Sequence, residues 1–512
     1  MKNFSLSLYA FHLRHTLTEL PGEVVADANL LWENLVKVGE NSLPFIGLKD
    51  LRSQLVCYDK NIYNPKQEEG RKTEWLTLSG QSLDLGNFST TDGFKINANL
   101  QPFLLNDTYA VDFTLVPKPS NISISIPQLK HFQPSCLLPA KIQASLGQTL
   151  WIYGEVDPSE DCGTLAEKFA TALVAGTNLN PVLIKKGELF GSLLFEYQAL
   201  DSNEFDNPAK QCQILIVINN NQSPTVARAE EAYDWLLKLF LSYHKILYIY
   251  QLARQRYREA REIFSNLDKE IQEFNSLIST NQTQLFELKN LIAKIPTTSF
   301  DYTRCLQDLQ THHTAITTNI TNYRICLDKI QTIGSGNSPQ FWQDFLNKEC
   351  KKWLEQIQTD INYLTPGKEL FGQLVDTIRG IVETQQAESD RTTQDILRQK
   401  EEADKRRNEN LQTAIAILGF GLGAAQIGVS TAPYIIPQQQ PPTPIQLPFT
   451  TSQPHPFVLS VVLSLVFGVV GAFVGWGCSH LFQAIAARRS SHQPKISTGS
   501  QQSLPQGRKQ NT

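Results

Sequence analysis

The stretch from Leu411 to Ala487 contains no Asp, Glu, Lys or Arg, and this constrains the chain more than any other feature of its 512 residues. Two apolar runs, 411–436 and 457–482, flank a proline- and glutamine-rich segment, 437–456. Each run exceeds the roughly 20 helical residues that cross a hydrocarbon core of about 30 Å. The sequence therefore predicts two transmembrane helices joined by an extracytoplasmic loop, which together form a membrane hairpin.

Basic residues flank this hairpin on both sides. They occur at 405–407 before the first run and at 488–489 after the second, whereas the loop between the runs has no formal charge. The positive-inside bias then predicts an integral protein of the inner or plasma membrane with both termini in the cytoplasm. We expect the basic tail, 483–512, to be disordered and to lie near anionic lipid headgroups.

The composition of the rest of the chain argues against a nucleic-acid-binding protein, a disulfide-bonded protein and a secreted protein. The formal net charge of −4 gives no sign of a nucleic-acid partner. The eight cysteines are scattered without a CxxC motif, which predicts free structural thiols rather than disulfides or a zinc site. The start of the chain does not resemble a secretory signal, so we expect roughly the first 400 residues to stay in the cytoplasm.

Residues 1–222 alternate short β-like runs with helical stretches. This pattern predicts a mixed domain of the α/β or α+β class, with the strand order left open. Helices are predicted at 28–39 and at 164–176, the second opened by a capping box of Thr164 and Glu167. The predicted strands are 4–13, 94–100, 109–116, 122–126, 149–156, 181–186 and 213–219.

Residues 223–365 predict long coiled-coil-like helices. An apolar heptad repeat begins near Ala229 and Ala232, which favours a supercoiled helix of about 70 residues that ends at Pro296, with 279–283 as a candidate break. Aromatic residues in the seam favour antiparallel packing against the following helices over a parallel dimer. The first heptad position is occupied by Ala229, Leu236, Tyr243, Tyr250, Tyr257, Phe264, Ile271, Ile278, Leu285 and Ile292.

A second apolar seam runs from Tyr302 to Ile330 and contains one polar member, His313. His313 could bind a ligand or respond to pH, but fixing the register of packed helices is the more ordinary use of such a residue, and we favour it. A third helix is predicted to begin at Pro339. A fourth, the stalk helix 366–410, is predicted to begin beside Pro366 and to continue without a break into the first membrane span.

Polar and small residues mark the two spans. Gln412, Thr413, Gln426 and Ser430 either line a pore or form hydrogen bonds between helices, and both interpretations stay open. Glycines at small-xxx-small spacing predict close helix packing. These glycines are Gly419, Gly423, Gly428, Gly468, Gly471 and Gly475.

Motifs for catalysis, cofactors and metals are missing from the sequence. It contains no Walker loop, HExxH motif or nucleophile elbow, so we expect neither an enzyme nor a bound cofactor. His12 and His15 lie three residues apart on a predicted strand and would point to opposite faces, which argues against a shared metal site.

The order of these parts resembles the CorA family of divalent-cation channels: a cytoplasmic α/β domain, long helices, a stalk that continues into the first of two spans, a short outer loop and a basic tail. The resemblance implies a homopentamer with a central pore and a divalent cation as partner. The family's Gly-Met-Asn signature should close the first span, but residues 430–436 read STAPYII and the only methionine is Met1.

Two functions follow as hypotheses. The first is an oligomeric channel or transporter with altered or lost magnesium selectivity. The second is a membrane-anchored sensor or scaffold whose cytoplasmic domain binds a ligand or a protein. In both, the lipid bilayer is a partner.

Overall fold

The computed structural model describes residues 1–16, 23–201, 207–279, 285–336 and 339–398. The chain divides into two units, Met1–Gln385 and Gln386–Thr512, and the elements below belong to the first unit except for the end of the last helix. The predicted membrane hairpin, its loop and the basic tail lie outside the described residues. Among the described helices, none is both long enough and apolar enough to cross a bilayer.

A single mixed sheet of eight strands forms the framework of the first unit, in the order β4-β5-β6-β1-β7-β10-β9-β8. Neighbouring strands are antiparallel except β7 and β10, which are parallel. A separate small hairpin consists of β2 and β3. The strands are β1 (Lys2–Leu13), β2 (Tyr58–Asp59), β3 (Ile62–Tyr63), β4 (Leu83–Ser89), β5 (Lys95–Leu105), β6 (Thr108–Lys118), β7 (Gly147–Glu155), β8 (Leu179–Leu189), β9 (Ser192–Asp201) and β10 (Cys212–Asn219).

The sheet is covered on both faces because its central strands are apolar on both sides. In β1, Leu6 and Leu8 belong to one buried cluster, and Phe11 belongs to another. The first cluster lies under short helices, with Phe4 against Phe132 at a ring separation of 5.0 Å. Those helices are α1 (Leu30–Asn41), α2 (Ile46–Lys49), α3 (Leu51–Gln54), α4 (Pro139–Ile142) and α5 (Cys162–Leu173).

The second face is covered by the helices that follow the sheet in the chain, three of which are long. These are α6 (Thr225–Glu231), α7 (Tyr233–Ser279), α8 (Leu285–Ile333), α9 (Gln340–Asp344) and α10 (Lys351–Arg398), with a π-helical turn at Phe345–Cys350 between α9 and α10. The structure is therefore a mixed α/β domain followed by long helices, as the sequence predicts.

Pairs of contacting side chains show that α7 and α8 are antiparallel. Lys329 lies over the ring of Trp235, Arg256 pairs with Asp308 at 2.9 Å, and the ring of Phe264 contacts Tyr302. Partner numbers therefore fall along α8 as they rise along α7. This confirms the antiparallel packing that the aromatic seam predicts.

Helix α10 completes a three-helix bundle with α7 and α8. Tyr250 stacks on Trp353 with ring centroids 4.8 Å apart, and Arg254 pairs with Asp360, so α10 runs parallel to α7. The Tyr302 hydroxyl donates to the Leu364 carbonyl at 2.6 Å, which fixes α8 against α10.

The prolines do not end the helices where the sequence predicts. The single helix to Pro296 is wrong, because Pro296 lies within α8. The candidate break is confirmed, since α7 ends at Ser279, the first residue of that break. Pro366 lies inside α10, so the predicted third and fourth helices are continuous there. Residues buried on both sides of Pro366, Leu364 and Phe371, pack into the bundle, and this burial outweighs a proline cost of about 3 kcal/mol.

Two further local predictions differ from the structure. Residues 122–126 do not form a strand, because Ser125 instead opens a 3₁₀ helix through a capping box with Gln128. Helix α5 is capped by Asp161, whose side chain accepts from the backbone N–H of Thr164 at 3.2 Å, so the capping box predicted at Thr164 is one turn too late.

Candidate functional site: a polar row beneath the long helices

The candidate pore and packing residues of the two spans lie outside the described residues. They are Gln412, Thr413, Gln426, Ser430, Gly419, Gly423, Gly428, Gly468, Gly471 and Gly475. His313 is described and is half-buried in α8, within a seam whose other eight predicted members are all buried. The seam is confirmed, whereas a ligand or switch role for His313 remains a prediction. The adjacent His312 has a lowered pKa because its ring is buried.

A row of polar side chains crosses the middle of the sheet on the face that α7 covers. Asp112 on β6 is opposite Tyr9 on β1, Tyr9 is opposite Thr149 on β7, and Thr149 is opposite Gln213 on β10. We call Asp112, Tyr9, Thr149 and Gln213 the polar row. Each occupies the same register position of its strand, so the four side chains share one face of the sheet.

Asp112 joins three elements at one end of the row. Its carboxylate accepts from the Tyr233 hydroxyl of α7 at 2.9 Å and from the Thr114 hydroxyl at 2.7 Å. Burial raises the pKa of Asp112 to about 6, against the lowering effect of the hydroxyls of Thr114, Tyr233 and Tyr9. A carboxyl group without a cationic partner, held by hydroxyl donors, is a costly group to ionise in the interior.

A second chain of hydrogen bonds occupies the other end of the row. The Thr149 hydroxyl donates to the Gln213 amide oxygen at 2.9 Å, and the Gln213 amide donates to Glu196 at 2.5 Å. Because Thr149 has only one hydroxyl proton, His244 Nε2, which lies 2.8 Å away, must be the donor to Thr149. His244 is therefore the neutral Nε2–H tautomer, and burial lowers its pKa to about 3.

The His244 ring fits because Gly147 has no side chain. A Cβ built at Gly147 would lie 2.6 Å from Nδ1 of His244, and Gly147 has a φ of +125°. The Nδ1 atom is buried and has no hydrogen-bond partner among the described atoms. Helix α7 is thus held against the sheet by Tyr233 at one end of the row and by His244 at the other.

The opposite face carries a separate buried ion pair. Arg14 donates to Glu68 at 2.6 Å, the Tyr109 hydroxyl donates to the second Glu68 oxygen at 2.5 Å, and Tyr63 contacts Tyr109 at 2.8 Å. Burial raises the pKa of Glu68, although Tyr109 and Arg14 oppose that shift. These contacts anchor the connection between α3 and β4 to the sheet.

The helix bundle contains one comparable charge. Asp360 on α10 is buried, accepts from Gln356 at 2.8 Å and pairs with Arg254 on α7. Burial raises the pKa of Asp360, against the lowering effects of Gln356 and Arg254. The pair therefore couples α7 to α10, as the polar row couples the sheet to α7.

These groups hold elements of the first unit together. In the part of the chain that the structure describes, no cluster of three His, Cys, Asp or Glu side chains could hold a metal ion. His12 is buried, with Nε2 2.8 Å from the Asp27 carbonyl, and Nδ1 accepts from the Ser145 N–H. The seven described cysteines are free and buried, which confirms the prediction for them; Cys478 lies outside the described residues.

Comparisons with known proteins give no relative, since no family model, no curated protein and no solved structure matches the chain.

Proposed function

We propose that the chain is one subunit of an oligomeric membrane channel or transporter, similar in its order of parts to CorA-type channels and with altered or lost magnesium selectivity. In this proposal the mixed α/β domain and the helix bundle lie in the cytoplasm, and residues 411–436 and 457–482 cross the membrane. The first span, with Gln426 near its middle, lines the pore.

The observation that supports this proposal most is the length of α10. The helix continues through Pro366 and ends at Arg398, twelve residues (399–410) before Leu411 in the sequence. A helix that packs in the bundle over one part and leads along the chain toward a membrane span is suited to pass movement from one to the other.

Contacts within the first unit supply a route for such movement. The polar row joins the sheet to α7 through Tyr233 and His244, and Arg254 joins α7 to Asp360 on α10. A ligand that shifts the sheet against α7 would therefore act on α10 through charged and hydrogen-bonded contacts. Such contacts have discrete geometries, so they pass on a movement as a switch between two arrangements.

We expect the ion selectivity to differ from that of CorA-type channels. Magnesium recognition needs oxygen ligands at a constriction, and segment 437–456 supplies only amides, hydroxyls and carbonyls where an acidic residue would attract cations.

Reconstituted flux tests the proposal. Purified full-length protein in liposomes should pass cations, measured with Mg²⁺ and with K⁺, and Gln426→Leu should reduce that flux because it removes a polar group from the pore wall. Ser460→Leu, a matched change in the second span, should leave the flux unchanged. Sealed liposomes, or equal effects of both variants, would contradict a pore formed by the first span.

The second candidate is a membrane-anchored scaffold whose sheet domain binds a partner. The observation that favours it is the exposed apolar strand β8, where Val182, Leu183 and Ile184 are 42%, 49% and 46% exposed. If the chain is a scaffold, liposomes that contain it should stay sealed to all cations, and the sheet domain should still bind its partner.

A further inference from the structure

Two exposed apolar surfaces lie at opposite ends of the eight-stranded sheet. The first, which we call the β8 edge surface, consists of Val182, Leu183, Ile184, Lys185 and Lys186, all exposed on the last strand of the sheet. Ile184 is a bulged residue, because Leu183 pairs with Tyr197 and Lys185 with Glu196.

The second, which we call the β4 edge surface, consists of Ile46, Leu78 and Asp84. Ile46 is 74% exposed and Leu78 is 67% exposed. Leu78 precedes β4 in the chain, and its N–H donates to the carbonyl of Gln54 at the end of α3. Helix α2 lies directly on β4, since a Cβ at Gly47 would be 2.7 Å from the Leu85 Cα, and this places Ile46 beside the edge.

The two surfaces cannot meet within one chain. At a strand spacing of about 4.8 Å, seven spacings put the two edge strands roughly 34 Å apart. The two edge strands nonetheless differ in charge. Strand β8 carries Lys185 and Lys186 with one acid, Glu188, whereas Asp84 is the only charged residue of β4.

The shape of both edges favours a folded partner over an extended peptide. Strand β8 is interrupted by its bulge and contains Pro181, and β4 has a register shift between Asp84 and Gly86. Such devices prevent a further strand from pairing along an edge. Exposed apolar side chains beside a blocked backbone ladder suit side-chain packing against another surface.

We propose that the β8 edge surface of one copy of this chain docks on the β4 edge surface of the next copy, head to tail. A contact between two different surfaces forms either a closed ring or an open filament. Closure into a ring rests on the proposed function, because subunits inserted in one bilayer are related by rotation about the membrane normal.

Disulfide cross-linking in membranes tests the contact. In a Cys478→Ser background, the double variant Val182→Cys/Leu78→Cys should form a ladder of cross-linked species on mild oxidation, and each single variant should not. Val182→Cys/Ile325→Cys is the matched control, since Ile325 is 47% exposed on α8 and belongs to neither surface. Absence of the ladder, or efficient cross-linking of Val182→Cys alone, would overturn the head-to-tail contact.

Charge reversal provides a second, independent readout. Lys185→Glu/Lys186→Glu should lower the cross-linked fraction roughly two- to fivefold, the usual size for exposed ion pairs, and adding Asp84→Lys should restore it. No recovery would also count against the contact. Flux is measured separately. Cross-linked species without cation flux would contradict only the proposed channel function, and flux without cross-linked species would contradict only this interface.

Discussion

The carboxyl group of Asp112 makes one of the contacts under α7 dependent on pH. Its neighbours are the hydroxyl groups of Tyr9, Thr114 and Tyr233, and none of them is cationic. Protonation therefore relieves a buried charge rather than breaking an ion pair. The Asp112 end of the contact should consequently favour mild acid, whereas the buried neutral His244 at the other end has a lowered pKa and favours neutral pH.

Asp112→Asn should remove this pH dependence. Because the folded pKa of about 6 exceeds the ordinary 3.8, the folded chain holds a proton in that window that the unfolded chain has lost. Stability from this site thus falls as pH rises through the window, by roughly 3 kcal/mol at most, and stays low above it. Thermal unfolding of wild type and variant is measured at pH 4.5 and 7. The melting temperature of the variant should rise relative to that of the wild type at pH 7.

Asp59→Asn serves as the control for that measurement, because Asp59 is exposed in the β2–β3 hairpin. Its melting temperature should follow that of the wild type at both pH values. If Asp112→Asn did the same, the Asp112 carboxyl would not be protonated in this window.

The polar row itself could not be found from the sequence. Tyr9, Asp112, Thr149 and Gln213 come from four strands spread over about 200 positions, and only the strand register brings them opposite each other. A local signal did exist in β6, where Asp112 is a charged residue within the mostly apolar run from Tyr109 to Val116. The partner of such a residue becomes apparent only with the strand order.

At the scale of elements, α10 depends on the close approach of α8 at one glycine. The ring of Tyr302 lies so near Gly367 that an added Cβ would be 2.8 Å from the ring carbon Cζ. Gly372, five residues further along the same helix, has no neighbouring atom within 4 Å of such a Cβ and is exposed. The two glycines therefore form a matched pair.

Gly367→Ala and Gly372→Ala should change stability in opposite directions. The first should destabilise the bundle by about 1–3 kcal/mol through overpacking. The second should stabilise it by about 1 kcal/mol, because alanine is the better helix former. Thermal unfolding followed by circular dichroism measures both, and a loss of stability in Gly372→Ala would show that this position is packed.

Elements with strong local patterns were predictable, and elements set by tertiary packing were not. The second heptad position, which starts at Ala232, is buried from there to Leu267. Its members are Ala232, Leu239, Ile246, Ala253, Ala260 and Leu267. Strands β4 and β9 were missed. In β4, Gly86 and Asn87 weaken the strand pattern, and pairing with β5 overrides it.

At the scale of the whole molecule, the sheet order could not be derived from the sequence. Strand β1 lies between β6 and β7, and β10 joins β7 in parallel before β9 and β8 return to the other edge. These neighbours are set by packing between distant segments. The predicted arrangement of the chain in the membrane likewise depends on residues 411–482, which lie outside the described residues.

Accessibility labelling tests that arrangement. In a Cys478→Ser background, Gln440→Cys should react with a membrane-impermeant maleimide added outside intact cells. Leu78→Cys, 67% exposed on the sheet domain, should react only after permeabilisation. Labelling of both from the same side would contradict the predicted hairpin with its cytoplasmic termini.

The central position of β1 in the sheet also affects how the protein folds during its synthesis. As the ribosome releases the chain, Lys2–Leu13 emerges roughly 100 residues before its neighbour Thr108–Lys118 and roughly 140 residues before its neighbour Gly147–Glu155. The apolar strand β1 is thus unpaired during this part of translation, and exposed strand edges are prone to aggregate. The nascent chain should therefore depend on chaperone protection until at least Glu155 has left the exit tunnel.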